Sequence, residues 1–117
     1  MLNFSKQYMI IFYLIETALL VGEIVNYSIY YPTSIDEVID KDNDNIDVCV
    51  RMSNGKSYTI VFITPDNLKE QMVNNCEQFI SPEFRFIVVR RIDRLNIEAA
   101  VQEIVSNPYY LNFYGDD

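Results

Sequence analysis

The stretch Asn45–Leu68, NIDVCVRMSNGKSYTIVFITPDNL, decides the fold. Two runs of alternating apolar residues meet at Asn54-Gly55. That dipeptide is the strongest short-range hairpin signal, because a type I′ turn needs positive φ at both central positions. A two-residue turn there sets a register: Ser53 opposite Lys56, Arg51 opposite Tyr58, Cys49 opposite Ile60 and Asp47 opposite Phe62. Ile46, Val48, Val50 and Met52 then share a face with Thr59, Val61 and Ile63. This is the more uniformly apolar face, expected to meet the helices. Thr64 is placed to cap the next element: its hydroxyl accepts an orphan N–H, Pro65 suits the first helical position and Asp66 complements the dipole. Leu68, Met72, Cys76 and Phe79 continue at i, i+4, i+8 and i+11, one apolar stripe that predicts a helix near 65–79, stopped by Ser81-Pro82.

Working outward, residues 23–31 alternate, with Val25, Tyr27, Ile29 and Tyr31 on one face, and read as a strand ended by Pro32. Ser34, Asp36 and Glu37 open a short helical turn within an otherwise charged loop, Thr33–Asp47. FRFIVVRR, Phe84–Arg91, reads as a central strand. Asp93 caps a helix near 94–106 with the stripe Ile97, Ala100, Val101 and Ile104, and Asn107-Pro108 stops it. YYLNFY, Tyr109–Tyr114, reads as a last edge strand. Residues 8–15 favour a buried strand, with a helix through Leu20 as the alternative. The expected fold class is α+β: a single domain over residues 1–117, with a mostly antiparallel sheet, an Asn-Gly hairpin and two helices packed on one face.

Composition bounds the function. Half of the 117 residues are hydrophobic and 22% are charged, so a packed core is within reach and global disorder is not expected. The net charge of −8 repels nucleic acid and anionic membrane and suits a basic protein partner or plain solubility. Tyr8–Val25, YMIIFYLIETALLVGEIV, is strongly apolar, but Glu16 and Glu23 interrupt it. No cleavage site follows the single early base Lys6. The run reads as core and the protein as cytoplasmic. Cys49 and Cys76 read as two buried thiols in a reducing compartment.

Chemistry is sparsely written. The chain has no His, which removes the commonest general base and metal ligand along with every Ser-His or Cys-His pair. Three scattered glycines build no phosphate loop. Asp40, Asp42 and Asp44 imitate the opening of an EF-hand, but Asn45 stands where the sharp turn needs Gly and Arg51 where the bidentate Glu belongs. No catalytic residue, metal or cofactor is expected. Arg85, Arg90, Arg91 and Arg94 cluster around one strand end. They serve either as a nucleic-acid-binding or regulatory patch or, against the acidic whole, as counterions for Asp93, Glu98 and the acidic loop. Six acids, Asp36, Glu37, Asp40, Asp42, Asp44 and Asp47, crowd into twelve residues. They form either a solvated connection or a steering surface for a basic protein. Tyr109, Tyr110 and Tyr114 are interface anchors or core.

DVCVRMSNGKSYTIVFITPDNLKEQM followed by FIVVRRIDRLNIEAAV resembles small acidic bacterial proteins with a hairpin, a T-P-x-N helix and an I-V-V strand before an N-I helix. These are the immunity proteins of polymorphic and contact-dependent growth inhibition toxin systems. The similarity rests on Val48, Val50, Gly55, Tyr58, Phe62, Thr64, Pro65, Asn67, Leu68 and Met72, then Ile87, Val88, Val89, Asn96 and Ile97, across residues 46–106. It implies an antitoxin without enzymatic activity that binds and neutralises a cognate toxin domain in the bacterial cytoplasm. The acidic charge, not the resemblance, points to a basic partner of the nuclease type, with Asp36–Asp47 among the contacts.

Overall fold

The computed structural model describes residues 26–116. Strands β1 (Tyr27–Tyr30), β2 (Asn45–Met52), β3 (Ser57–Ile63) and β4 (Ile87–Val88) form one sheet in that order. The pairs β1/β2 and β2/β3 are antiparallel, and β3/β4 is parallel. Helices α1 (Pro65–Asn74), α2 (Arg94–Val105) and α3 (Pro108–Tyr114) complete an α+β arrangement. The expected segment at residues 8–20 lies outside the described residues.

The β2–β3 register differs by one residue from the sequence expectation. Arg51 pairs with Ser57, Val50 with Tyr58, Cys49 with Thr59 and Asp47 with Val61. The cause is the loop. Met52 N–H donates to Lys56 O, Gly55 N–H donates to Met52 O, and only Gly55 takes positive φ, at 94°. This is a three-residue connection with one left-handed glycine, not a two-residue type I′ turn. Asn54 stays out of the left-handed region, and its Oδ1 accepts the Lys56 N–H at 2.9 Å. One residue of slip turns β3 over. The buried face joins Ile46, Val48 and Val50 to Tyr58, Ile60 and Phe62, while Thr59, Val61 and Ile63 face the other way.

Helix α2 closes the core on that first face with Ile97, Val101, Ile104 and Val105, joined by Val89, Ile92 and Leu111. Tyr27, Ile29 and Tyr31 pack against it, the face expected of them. Helix α1 contributes no buried residue. It ends at Asn74, short of the expected 79, in a Schellman motif. Cys76 sits at φ 53° and donates to Val73 O, and Glu77 N–H donates to Met72 O. The expected stripe is therefore cut: Cys76 is exposed and Phe79 is 71% exposed.

Phe84–Arg91 provides only a two-residue edge strand, not a central one. Its parallel partner runs out on both sides. β3 stops at Ile63 because Thr64-Pro65 starts a helix, and upstream the Thr59 edge is taken by Asp116, which exchanges two backbone hydrogen bonds with it. Tyr109–Tyr114 is helical, not a strand. Asn107-Pro108 both ends α2 and opens α3, since Asn107 accepts the Tyr109 N–H and Pro108 occupies the first turn.

Candidate protein-docking surface

The acidic segment is built into the fold at both ends. Ser34 caps a 3-10 turn over Ile35–Glu37 through the Asp36 N–H, and Ile35 and Val38 are buried in the main core. Lys41, the only cation between Asp36 and Asp47, turns inward: its Nζ donates to Ile35 O at 2.9 Å and Val38 O at 3.0 Å. Its own carbonyl accepts the Ile92 N–H at 2.8 Å. Asp40 Oδ1 accepts the Asp42 N–H.

Thr64 fastens the far end. It is fully buried (0% exposed), the one buried polar residue among those described. Its Oγ1 accepts from Asp44 N–H at 3.1 Å and Asn67 N–H at 3.4 Å and donates to Asp44 O at 3.3 Å. One hydroxyl therefore caps α1 and holds the acidic loop to it. Amides extend the seam: Asn67 Nδ2 donates to Asn43 Oδ1, Asn43 Nδ2 to Glu70, and both Asn45 and Gln71 donate to Asn67 Oδ1.

Asp36, Glu37, Asp40, Asp42 and Asp47 are exposed and Asp44 is half-buried. The structure gathers three of the six, Glu37, Asp44 and Asp47, with Thr33 and Asn45 around a shallow depression of about 280 Å³. Asp42 instead meets Arg91 in an exposed ion pair of 3.5 Å. Asp36 and Asp40 are outside the depression. Among the described residues no three His, Cys, Asp or Glu side chains are arranged to hold a metal ion.

The four arginines do not form one patch. Arg85 lies over the Phe113 ring at 4.3 Å, Arg94 over Tyr31 at 4.9 Å, and Arg91 on Asp42. Arg90 is exposed. Among the described residues the Tyr31 hydroxyl has no hydrogen-bond partner of good geometry, though it is buried. Its pKa is raised, first by burial and then by the Glu98 charge, with Arg94 opposing. Tyr27 is raised by the same two causes, burial and then Glu98.

Cys49 is half-buried with Sγ 3.8 Å from Thr59 Oγ1, and both cysteines are free. The expectation of two buried thiols fails at Cys76, which the helix end turns outward.

Two features escaped the sequence. The first is the helical arrangement of the α3 rings, among which Tyr109, Tyr110 and Tyr114 are expected as interface anchors or core but on an edge strand. Tyr109 stacks on Phe113, Phe113 meets Tyr114 edge-on, and Tyr109, Tyr110 and Phe113 are exposed. The helical spacing of these rings was the available signal. The second is a groove of about 450 Å³ on the sheet face opposite α2, between α1 and the end of α3. Val61 and Ile63 face it, which only the observed register allows.

Among the described residues no helix is long and apolar enough to cross a membrane. No family model, curated protein or solved structure matches this chain.

Proposed function

We propose that this chain is an immunity protein that binds and neutralises a basic toxin domain of the nuclease type in the bacterial cytoplasm, with no catalysis of its own. One observation carries the reading: the acids of Asp36–Asp47 project from a segment whose backbone is fixed by buried Ile35 and Val38, by Lys41 and by Thr64. An acidic surface that is already ordered meets a cationic partner without an entropy cost of ordering. A nuclease needs a positive cleft to attract a polyanion, and a fixed acidic ridge answers the same field and speeds encounter. The alternative, nucleic-acid binding through the arginines, is less favoured, because Arg85, Arg91 and Arg94 are each engaged within the chain.

The proposal requires a toxic domain encoded beside this chain, and coexpression with that domain tests it. The expected result is rescue of growth and a stable complex whose association slows as salt rises. A neighbouring toxin that kills at full strength in the presence of the folded chain, or a gene neighbourhood without a toxin, overturns it.

A further inference from the structure

We infer that the groove on the sheet face opposite α2 is the desolvated centre of that interface, and that it takes a segment of the basic partner bearing arginine or lysine beside aliphatic residues. The inference rests on the function proposed above and locates its binding energy. Exposed acids mainly set association rate and salt dependence, so tight inhibition needs a pocket that excludes water. The Asp36–Asp47 ridge offers only a shallow depression.

The groove has the missing chemistry. Val61, Ile63, Leu68, Ile80 and Phe84 give it apolar walls, and Phe84 is 60% exposed. Glu77, Glu83 and Asp116 stand on its rim, and none has an ion-pair partner among the described residues. Among the described residues the one cation that lines it, Arg85, lies over Phe113. Three carboxylates against one ring-bound guanidinium leave the rim negative. An arginine or lysine fits both parts, its aliphatic stem on the walls and its charge at the rim. The groove also adjoins the acidic ridge, because Asn45 lines both the groove and the depression holding Glu37, Asp44 and Asp47. A basic protein steered by the ridge arrives beside the groove.

The test is a titration of the full chain, at low salt, with a hexapeptide of alternating arginine and leucine, followed by methyl and amide NMR. The expected result is saturable shifts of the Val61, Ile63, Leu68 and Ile80 methyls, lost when glutamine replaces arginine in the peptide. Glu77→Gln with Glu83→Gln, both exposed positions, should weaken binding about tenfold, the combined effect of two screened charge contacts. Shifts confined to the amides of Asp36–Asp47 overturn the groove and leave the basic-partner reading standing. Absence of shifts overturns the groove, while growth rescue judges the function separately. Groove shifts that follow protein dilution alone assign it to a second copy, and contacts from the groove to residues 8–25 assign it to the chain itself. Either result overturns the inference.

Discussion

Replacing Thr64 with valine removes one hydroxyl and keeps the shape of the side chain, so it isolates the atom that joins β3, α1 and the acidic loop. Two donors lose their acceptor, Asp44 N–H and Asn67 N–H. Asp44 O keeps the Thr64 backbone N–H at 3.1 Å, so no carbonyl is stranded. Loss of the helix cap costs about 1 kcal/mol. The Asp44 amide is half-buried, so its loss belongs at the low end of the range for an unsatisfied buried donor, about 1–2 kcal/mol. The sum is about 2–3 kcal/mol, or a fall in Tm of roughly 10 °C for a domain of this size. Thr64→Ser keeps the hydroxyl and loses one methyl, about 1 kcal/mol. Urea denaturation of the two variants measures the difference, and amide exchange at Asp44 and Asn67 locates it. A valine variant within about 0.5 kcal/mol of the parent, or one no weaker than the serine variant, would refute the role assigned to the hydroxyl.

Cys76→Gly relieves the left-handed strain at φ 53° and should raise stability by about 0.5–1 kcal/mol, net of glycine's greater unfolded freedom. An unchanged urea midpoint would deny that strain. Tyr31→Phe removes a buried hydroxyl that has no well-formed hydrogen bond among the described residues while keeping the ring beneath Arg94, and should leave stability equal or up to about 1 kcal/mol higher near neutral pH. The raised Tyr31 pKa means that folding favours the neutral phenol. Its contribution is fully present below about pH 10 and lost as pH rises through the folded value above that. The phenylalanine variant should therefore show a flatter alkaline limb in a stability–pH profile, and identical limbs would count against the assignment. Asp40, Asp42 and Asp44 changed together to asparagine keep the side-chain acceptors used by the Asp42 and Asn45 amides, so folding should change little. On the function proposed above, association with the toxin domain should slow, most at low salt, and an on-rate unchanged at every salt concentration would remove the ridge from the proposed interface.

Where two local signals agreed, the residues were legible. Thr64-Pro65 and Asp93 start helices because cap, dipole and periodicity coincide there, and both side chains accept the amide three residues on. The Asn-Gly loop was misjudged by one residue, since Asn54 has a second use as a side-chain acceptor for Lys56 and need not enter the left-handed region. That slip hid the groove, because it put Val61 and Ile63 on the wrong face. Asn107-Pro108 carried two meanings, an end and a beginning, and periodicity in Tyr109–Tyr114 would have decided between them. The length of β4 was not legible, because it depends on which strand runs out beside it. Of the acidic segment, composition showed the charge. It did not show that Ile35, Val38 and Lys41 turn inward to fix it.

The inward turn of Lys41 makes its ammonium group a chemical reporter. Half-buried and donating to two carbonyls, it should acylate more slowly than Lys56, which stands exposed in the β2–β3 loop as an internal standard within the same molecule. Opening of the turn frees the Lys41 amine, so a rise in its modification relative to Lys56 reports loosening of the acidic ridge while the rest of the sheet stays folded.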